Sequence, residues 1–383
     1  MRLNGIILND NLEVLLKYKT NKDDENKPVM FMLVGLPGSG KSYLAERIYV
    51  NRNNSDSYTK DIKFPTIYSS DKLREEMFGS MDVQDRNSEL FAELHNRIKY
   101  KLKNNEDVIY DATNINKKKR TAFLNELKNI DCYKVCLNVI APYEVCREEI
   151  KKRERVVPED VLKRMYLNYN PPHWSEGFDD IILIYNVRDN TTYKKYNYDN
   201  FLYGDINAVE IDQENKHHTK TIGNHCISAY ECSLLENPTD YKLSYAALYH
   251  DCGKPFTKSH LNSKGESTED AHYYNHHCCG SYDSFLYALN DKDCIGDFTC
   301  EEIIYIANLI YYHMHPFLQW RQSEKARERD KKFLGEEMYN DIMELHRADL
   351  AAQGKSINKD KEKVLVTLDG EDFAIGELNV KKI

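Results

Sequence analysis

The run Gly35-Leu-Pro-Gly38-Ser39-Gly40-Lys41-Ser42 has the spacing G-x-x-x-x-G-K-[ST]. Glycines at these positions let backbone N–H groups turn toward a triphosphate, and a helix starting at Ser42 adds the positive potential of its N-terminus. Lys41 would reach the β- and γ-phosphates of ATP, and Ser42 would help to hold Mg²⁺. Gly35, Gly38, Ser39 and Gly40 form the cradle. Farther on, Ser69-Ser70-Asp71-Lys72-Leu73-Arg74 sets a carboxylate and a guanidinium one helical turn apart. Such a carboxylate can take the proton of an attacking hydroxyl while the arginine fixes the acceptor's phosphate. The same residues also suit a helix start, with Ser70 or Asp71 as N-cap and Arg74 exposed. Asp111, in DVIYDATN, has three readings: support for Mg²⁺, orientation of Arg74, or a simple cap. The basic run Arg147, Lys151, Lys152, Arg153 and Arg155 precedes Val156-Val157-Pro158. It suits a lid over ATP phosphates, with Arg153 near the chemistry and Arg147 and Arg155 on the nucleotide, or a solvated charged face.

A second chemistry is suggested by histidine. Most of the 13 histidines lie beyond residue 216, and imidazoles converging with carboxylates from several helices make a metal site. The adjacent pair His250-Asp251 resembles the signature of HD-type metal-dependent phosphohydrolases, whose ligands run His … His-Asp … Asp. On that resemblance His225 and Asp349 are the outer ligands, and His276 and His313 extend the set to two metals. Each histidine taken alone fits a polar residue on a helix equally well. Lys254, one turn from the pair, is placed to bind phosphate. His/Asp sites accept Mn, Co, Ni, Fe or Zn, so the expected cofactors are ATP and Mg²⁺ in one half and one or two divalent transition metals in the other.

These residues need elements to hold them. Strand-type runs at 29–34, 64–70, 107–113, 132–140 and 180–186 alternate with helical patterns at 72–78, 87–103, 117–128 and 159–167. That alternation predicts an α/β domain, a parallel sheet flanked by helices, over residues 1–190. Beyond about residue 205 the β signal fades, and helical periodicity over 224–235, 243–252, 271–289, 301–315 and 336–350 predicts an all-α domain spanning 205–355. The tail, 356–383, reads as a short β-hairpin around Asp369-Gly370.

Composition narrows the function further. The longest apolar runs fall far below the ~18 residues of a membrane span, the first residues lack a secretory cleavage pattern, and the ten cysteines include no C-x-x-C pair. A cytoplasmic protein with no membrane partner is expected. The net charge is −9, yet residues 97–164 carry 17 Lys/Arg against 11 Asp/Glu. A basic stretch inside an acidic chain suits an anion-binding face.

The ordered motifs GLPGSGKS, SSDKLR, YDATNINKKKR, VVPEDVLKRM and EGFDDI resemble those of P-loop 5′-hydroxyl polynucleotide kinases. The run YHDCGKPFTK with AHYYNHHCCGS resembles an HD region, and the two halves in one chain are similar to bifunctional HD-polynucleotide kinase end-healing enzymes. The resemblance implies a P-loop kinase domain followed by an HD domain. In it Asp71 is general base, Arg74 holds the acceptor phosphate and Asp111 positions Arg74. It further implies RNA or DNA ends as partners, bearing 5′-OH and 2′,3′-cyclic, 2′- or 3′-phosphate, with a ligase acting downstream. Two other readings stand beside it: a small-molecule nucleoside or metabolite kinase fused to an HD nucleotidase, and a non-catalytic, ATP-gated sensor of RNA ends.

Overall fold

The computed structural model describes residues 6–8, 27–54, 65–153, 157–186, 201–202, 207–216, 219–237, 239–290, 298–353, 365–368 and 371–374. The chain divides into two units, Met1–Tyr196 with Thr299–Glu301, and Asn197–Phe298 with Glu302–Ile383.

In the first unit the elements run β1 (Ile6–Leu8), β2 (Val29–Val34), α1 (Lys41–Asn54), β3 (Thr66–Ser69), α2 (Ser70–Phe78), α3 (Asn87–Lys103), β4 (Val108–Asp111), α4 (Lys117–Glu126), β5 (Tyr133–Ile140), α5 (Tyr143–Lys151), α6 (Glu159–Tyr166) and β6 (Asp180–Tyr185). All six strands are parallel, in the order β1-β6-β5-β2-β4-β3. The six residues of β2 are all buried, as a strand covered on both faces requires. Leu44, Ala45 and Ile48 of α1 pack onto Phe31, Leu33 and Val135 from one side of the sheet. The chain order reverses on either side of β2, so the crevice at its carboxyl end is where ligands bind in open α/β folds. Strand β1, which the sequence pattern did not single out, extends the sheet beside β6.

A buried ion pair staples the region after β4. Arg120 and Glu176 are fully buried and meet twice at 2.7 Å, and the guanidinium also donates to the carbonyls of Asn114, Asn170 and Pro171. Removing one partner leaves an uncompensated buried charge. Arg120→Met is therefore expected to destabilise the protein by about 3–5 kcal/mol, read as a drop in the urea midpoint.

The second unit contains α7 (Ile222–Glu236), α8 (Tyr241–Tyr249), the short α9 (Lys254–Thr257), β7 (Ser259–Leu261), β8 (Ser267–His272), α10 (His276–Asn290), α11 (Cys300–Tyr312), a π-helical turn (Pro316–Trp320), α12 (Glu324–Leu334) and α13 (Glu336–Ala352). It is helical but not all-α. Strands β7 and β8 pair antiparallel, and α10 starts at His276 rather than at residue 271. This ribbon is polar and largely exposed, so it lacks the apolar alternation that marks a half-buried strand. Its turn places Gly265 at φ +81°, a conformation that costs glycine little. The tail strands β9 (Leu365–Leu368) and β10 (Glu371–Ala374) pair antiparallel, Leu368 opposite Glu371. None of the helices is long and apolar enough to cross a membrane, among the described residues.

Candidate functional site

In the first unit the phosphate-type loop leaves β2 and enters α1. Gly35, Gly38 and Gly40 all have positive φ (+153°, +84° and +97°). A Cβ on Gly38 would lie 2.4 Å from the Cys146 carbonyl oxygen, and one on Gly40 2.5 Å from Asn186 Nδ2. The Asn186 amide, at the end of β6, donates to the Ser39 carbonyl at 3.0 Å. On the other side Asn114 donates to Leu33 at 2.9 Å, and the Gly35 N–H to Thr113 at 3.0 Å. The loop is thus held from both sides, by the segments that follow β4 and β6. Gly40→Ala adds both a strained φ and a clash, and is expected to weaken ATP affinity roughly ten- to hundredfold, measured by calorimetric titration.

Lys41 is buried and donates to the Leu36 carbonyl at 2.7 Å. Burial pulls its pKa down to about 8, with Asp111 acting in the opposite sense. Asp111 accepts the Ser42 hydroxyl at 2.8 Å. Burial raises the Asp111 carboxyl, against the pull of Lys41 and Ser42. That pairing sets Asp111 beside the loop hydroxyl, as the Mg²⁺-supporting reading has it. The Arg74 guanidinium donates to Asp71 at 2.8 Å and Asn87 at 2.9 Å. Helix α2 begins at Ser70 with Ser69 as its N-cap residue, and Arg74 is only 4% exposed, so the reading of a capping Ser70 or Asp71 with an exposed arginine does not hold. Asp71 itself is half exposed, open to an incoming hydroxyl. Asn87 and Asn186 carried no signal in the sequence, since an asparagine at a helix start or strand end is ordinary.

The basic run divides. The charge of Arg153 acts on both Lys41 and Asp111, which places it near the loop. Arg147 pairs with Glu144 at 2.6 Å and Glu159 at 3.6 Å. Arg155 lies outside the described residues.

In the second unit His225 comes from α7, His250 and Asp251 from the turn after α8, His276 from the start of α10, His313 from the turn after α11 and Asp349 from α13. All six meet. His225 Nε2 lies 2.9 Å from Asp349 Oδ1, 3.2 Å from His250 Nε2 and 3.5 Å from Asp251 Oδ2. His276 Nε2 lies 3.1 Å from His313 Nε2 and 3.2 Å from Asp251 Oδ1. Two clusters of possible ligands result, His225–His250–Asp251 and Asp251–His276–His313, and Asp251 offers one oxygen to each. Close packing of the supports explains the approach: a Cβ on Gly253 would meet the His276 carbonyl oxygen at 2.2 Å.

The donor set fits cations. Nδ1 of His250, His276 and His313 lies 2.7, 2.7 and 2.6 Å from the carbonyls of Ala247, Tyr273 and Ile310. A carbonyl can only accept, so each Nδ1 carries a proton and each Nε2 is turned inward, the orientation metal-binding imidazoles need. The Nε2 atoms of His276 and His313 then face each other as two acceptors, a repulsive contact that a cation would relieve. Burial, first of all, keeps His313 well below its usual pKa, hence neutral. Burial works against ionisation of Asp251 and Asp349, but Lys254 and His250 for the first, and His225 and His250 for the second, hold both carboxyls well below their usual range. His250 is drawn the other way: burial opposes its charge, yet Asp251 and Asp349 raise it well above the ordinary value, and a bound cation would take that proton's place.

Lys254 Nζ lies 2.7 Å from Asp251 Oδ2, donates to Gln213 Oε1 at 2.7 Å, and sits 5.3 Å from the Tyr273 ring centre. Fully buried Gln213, with its carbonyl accepting the Tyr273 hydroxyl at 2.6 Å, is the positioning residue that the sequence gave no sign of.

A family model described as an AAA domain matches residues 30–172. The L-seryl-tRNA(Sec) kinase of Methanococcus maripaludis is 28% identical over 153 residues, 39% of this chain and 56% of that protein, so the chain spans little more than half the length of that relative. Among solved structures, Chaetomium thermophilum Kti12 in complex with ADP-AlF3 matches at 19% identity, covering 44% of this chain and 94% of that one, with a TM-score of 0.34. A gluconokinase from Sinorhizobium meliloti matches at 18% identity, covering 41% and 82%, with a TM-score of 0.29. Structural likenesses of that size are too weak to bear on function. The matched segment, the loop and the parallel sheet make the N-terminal part a P-loop kinase domain, which implies ATP and Mg²⁺ as its ligands.

Proposed function

We propose that this chain heals nucleic-acid ends, phosphorylating 5′-hydroxyl termini in its first unit and removing 2′,3′-cyclic, 2′- or 3′-phosphates in an HD-type second unit. The observation that carries the reading is the meeting of His225, His250, Asp251, His276, His313 and Asp349 on a chain that also holds a P-loop. Acceptor chemistry and phosphate-removing chemistry are thereby joined, and a broken RNA with a 5′-hydroxyl and a cyclic phosphate needs both.

In the kinase unit Asp71 takes the proton of the acceptor hydroxyl, and Arg74, steadied by Asn87, holds the acceptor's phosphate. Lys41 and Arg153 meet the charge on the transferring phosphoryl group, while Ser42 and Asp111 would hold Mg²⁺. In the second unit the four histidines with Asp251 and Asp349 would hold divalent cations. When bound, these supply Lewis acidity and activation of water for phosphoester hydrolysis. Lys254 presents its ammonium to a phosphate oxygen, kept in place by Gln213. A ligase acting on the healed ends completes the scheme.

The test incubates the full chain with ATP and an RNA bearing 5′-OH and 2′,3′-cyclic phosphate, across Mg, Mn, Co, Ni and Zn. Gain of a 5′-phosphate together with loss of the cyclic phosphate supports the reading; phosphorylation of mononucleosides alone would overturn it. A second reading is favoured by the tRNA(Sec)-directed relative, in which the acceptor hydroxyl is carried on an aminoacylated tRNA. Placing seryl-tRNA in the same acceptor panel separates the two.

A further inference from the structure

The π-helical turn Pro316–Trp320 starts three residues after His313. A single wide turn of this kind is rare and recurs at functional sites. Its far end is pinned. The Trp320 indole N–H donates to buried Asp330 at 3.1 Å, and the ring packs with centres 5.2 Å from Tyr339 and 6.0 Å from His315. Its outer side carries Phe317 and Leu318, 51% and 43% exposed. The Leu318 amide donates to the Met314 carbonyl at 2.9 Å, so the backbone stays helical through this stretch. Residues four apart share a helix face. Phe317 follows buried His313 by four residues, so the exposed ring lies a short stretch of chain from the site. Just beyond, Arg321 and Lys325 are exposed and make no ion pair among the described residues.

We infer that Phe317 and Leu318 form a stacking platform for a nucleobase beside the phosphate-bearing end of a single-stranded nucleic acid, with Arg321 and Lys325 meeting its backbone. The inference rests on the phosphohydrolase reading for what lies at the platform's inner end. An aromatic ring accepts any base on its π-face, and unneutralised cations beside an apolar patch suit a polyanion that carries flat apolar groups. A second copy of the chain on the same patch is the alternative occupant, and the oligomeric state is read in the same experiment.

The probe is a hexaribonucleotide with a 3′-phosphate and a dye blocking its 5′ end, bound to the full chain and followed by fluorescence anisotropy. Phe317→Ala is expected to weaken binding about tenfold, the scale of one base stacked on one ring, and Phe317→Trp to preserve it. A probe whose last nucleotide is abasic should bind the wild type weakly and be indifferent to Phe317→Ala. Arg321→Gln should flatten the salt dependence of binding. Unchanged affinity in Phe317→Ala, an equal loss for intact and abasic probes, or dissociation of a dimer with oligonucleotide binding intact would each overturn the platform. Hydrolysis of a nucleoside 2′,3′-cyclic phosphate is measured in parallel. A wild type that binds through Phe317 yet hydrolyses nothing leaves the platform standing and removes the phosphohydrolase reading instead.

Discussion

Asp251→Asn is expected to abolish phosphate release from 2′- and 3′-phosphate ends while leaving ATP-dependent phosphorylation unchanged. The carboxylate is shared: one oxygen faces His276 at 3.2 Å and His313 at 3.9 Å, and the other faces His225 at 3.5 Å, His250 at 3.3 Å and Lys254 at 2.7 Å. An asparagine has the same size but one oxygen and no charge. Whichever way it turns, its amide N–H₂ faces either an inward imidazole lone pair or the Lys254 ammonium. At least one of the two ligand clusters is therefore lost. The loss of rate should reach at least about 10²–10³-fold, the scale for removing one preorganised stabilising group. Metal content measured by mass spectrometry after dialysis should fall with it. Because Lys254 is left unpaired in a buried place, thermal unfolding must be followed in the same samples. Kinase activity is the internal control, since a globally unfolded variant would lose both. Full hydrolysis with metal content unchanged would show that the Asp251 carboxylate is not a ligand the reaction needs.

Legibility in the sequence followed how local each signal was. The P-loop was readable because its chemistry demands particular residue types at consecutive positions, and the parallel sheet because strands buried on both faces leave continuous apolar runs such as Val29–Val34. The His/Asp set was visible through the adjacent pair His250-Asp251 and through resemblance, although its six members span 125 positions from His225 to Asp349. What stayed hidden depends on distant partners. Asn87 matters because Arg74 turns toward it, and Gln213 because Lys254 reaches across 41 positions to meet it. Neither residue type nor spacing announces such contacts. The β7–β8 ribbon was missed for the opposite reason: it is polar on both faces, so no periodicity marks it. The pairing of Arg147 with Glu144 was hidden as well, because a basic run does not reveal which of its members acids engage.

The second large effect concerns Asp71, where two variants separate chemistry from positioning. Asp71→Asn keeps an oxygen for the Arg74 guanidinium, which now donates to Oδ1 at 2.8 Å, but it cannot accept the proton of an attacking hydroxyl. Its kcat for 5′-hydroxyl oligonucleotides is expected to fall by about 10²–10⁴, the contribution of a general base, with KM little changed. Asp71→Ala removes both functions. Arg74 is nearly buried and would keep Asn87 as a partner while losing its counter-charge, so KM for the acceptor should rise as kcat falls. Phosphate release by the second unit is expected to be untouched in both variants. A purely structural Asp71, acting as a first-turn carboxylate on α2, would give another pattern: the helix dipole interaction is worth about 0.3–1 kcal/mol, and activity would decline only as far as stability does. Equal kcat and KM in wild type and Asp71→Asn would place the base elsewhere, and Asp111, bonded to Ser42 and acting on the charge of Lys41, would be the next carboxylate to examine.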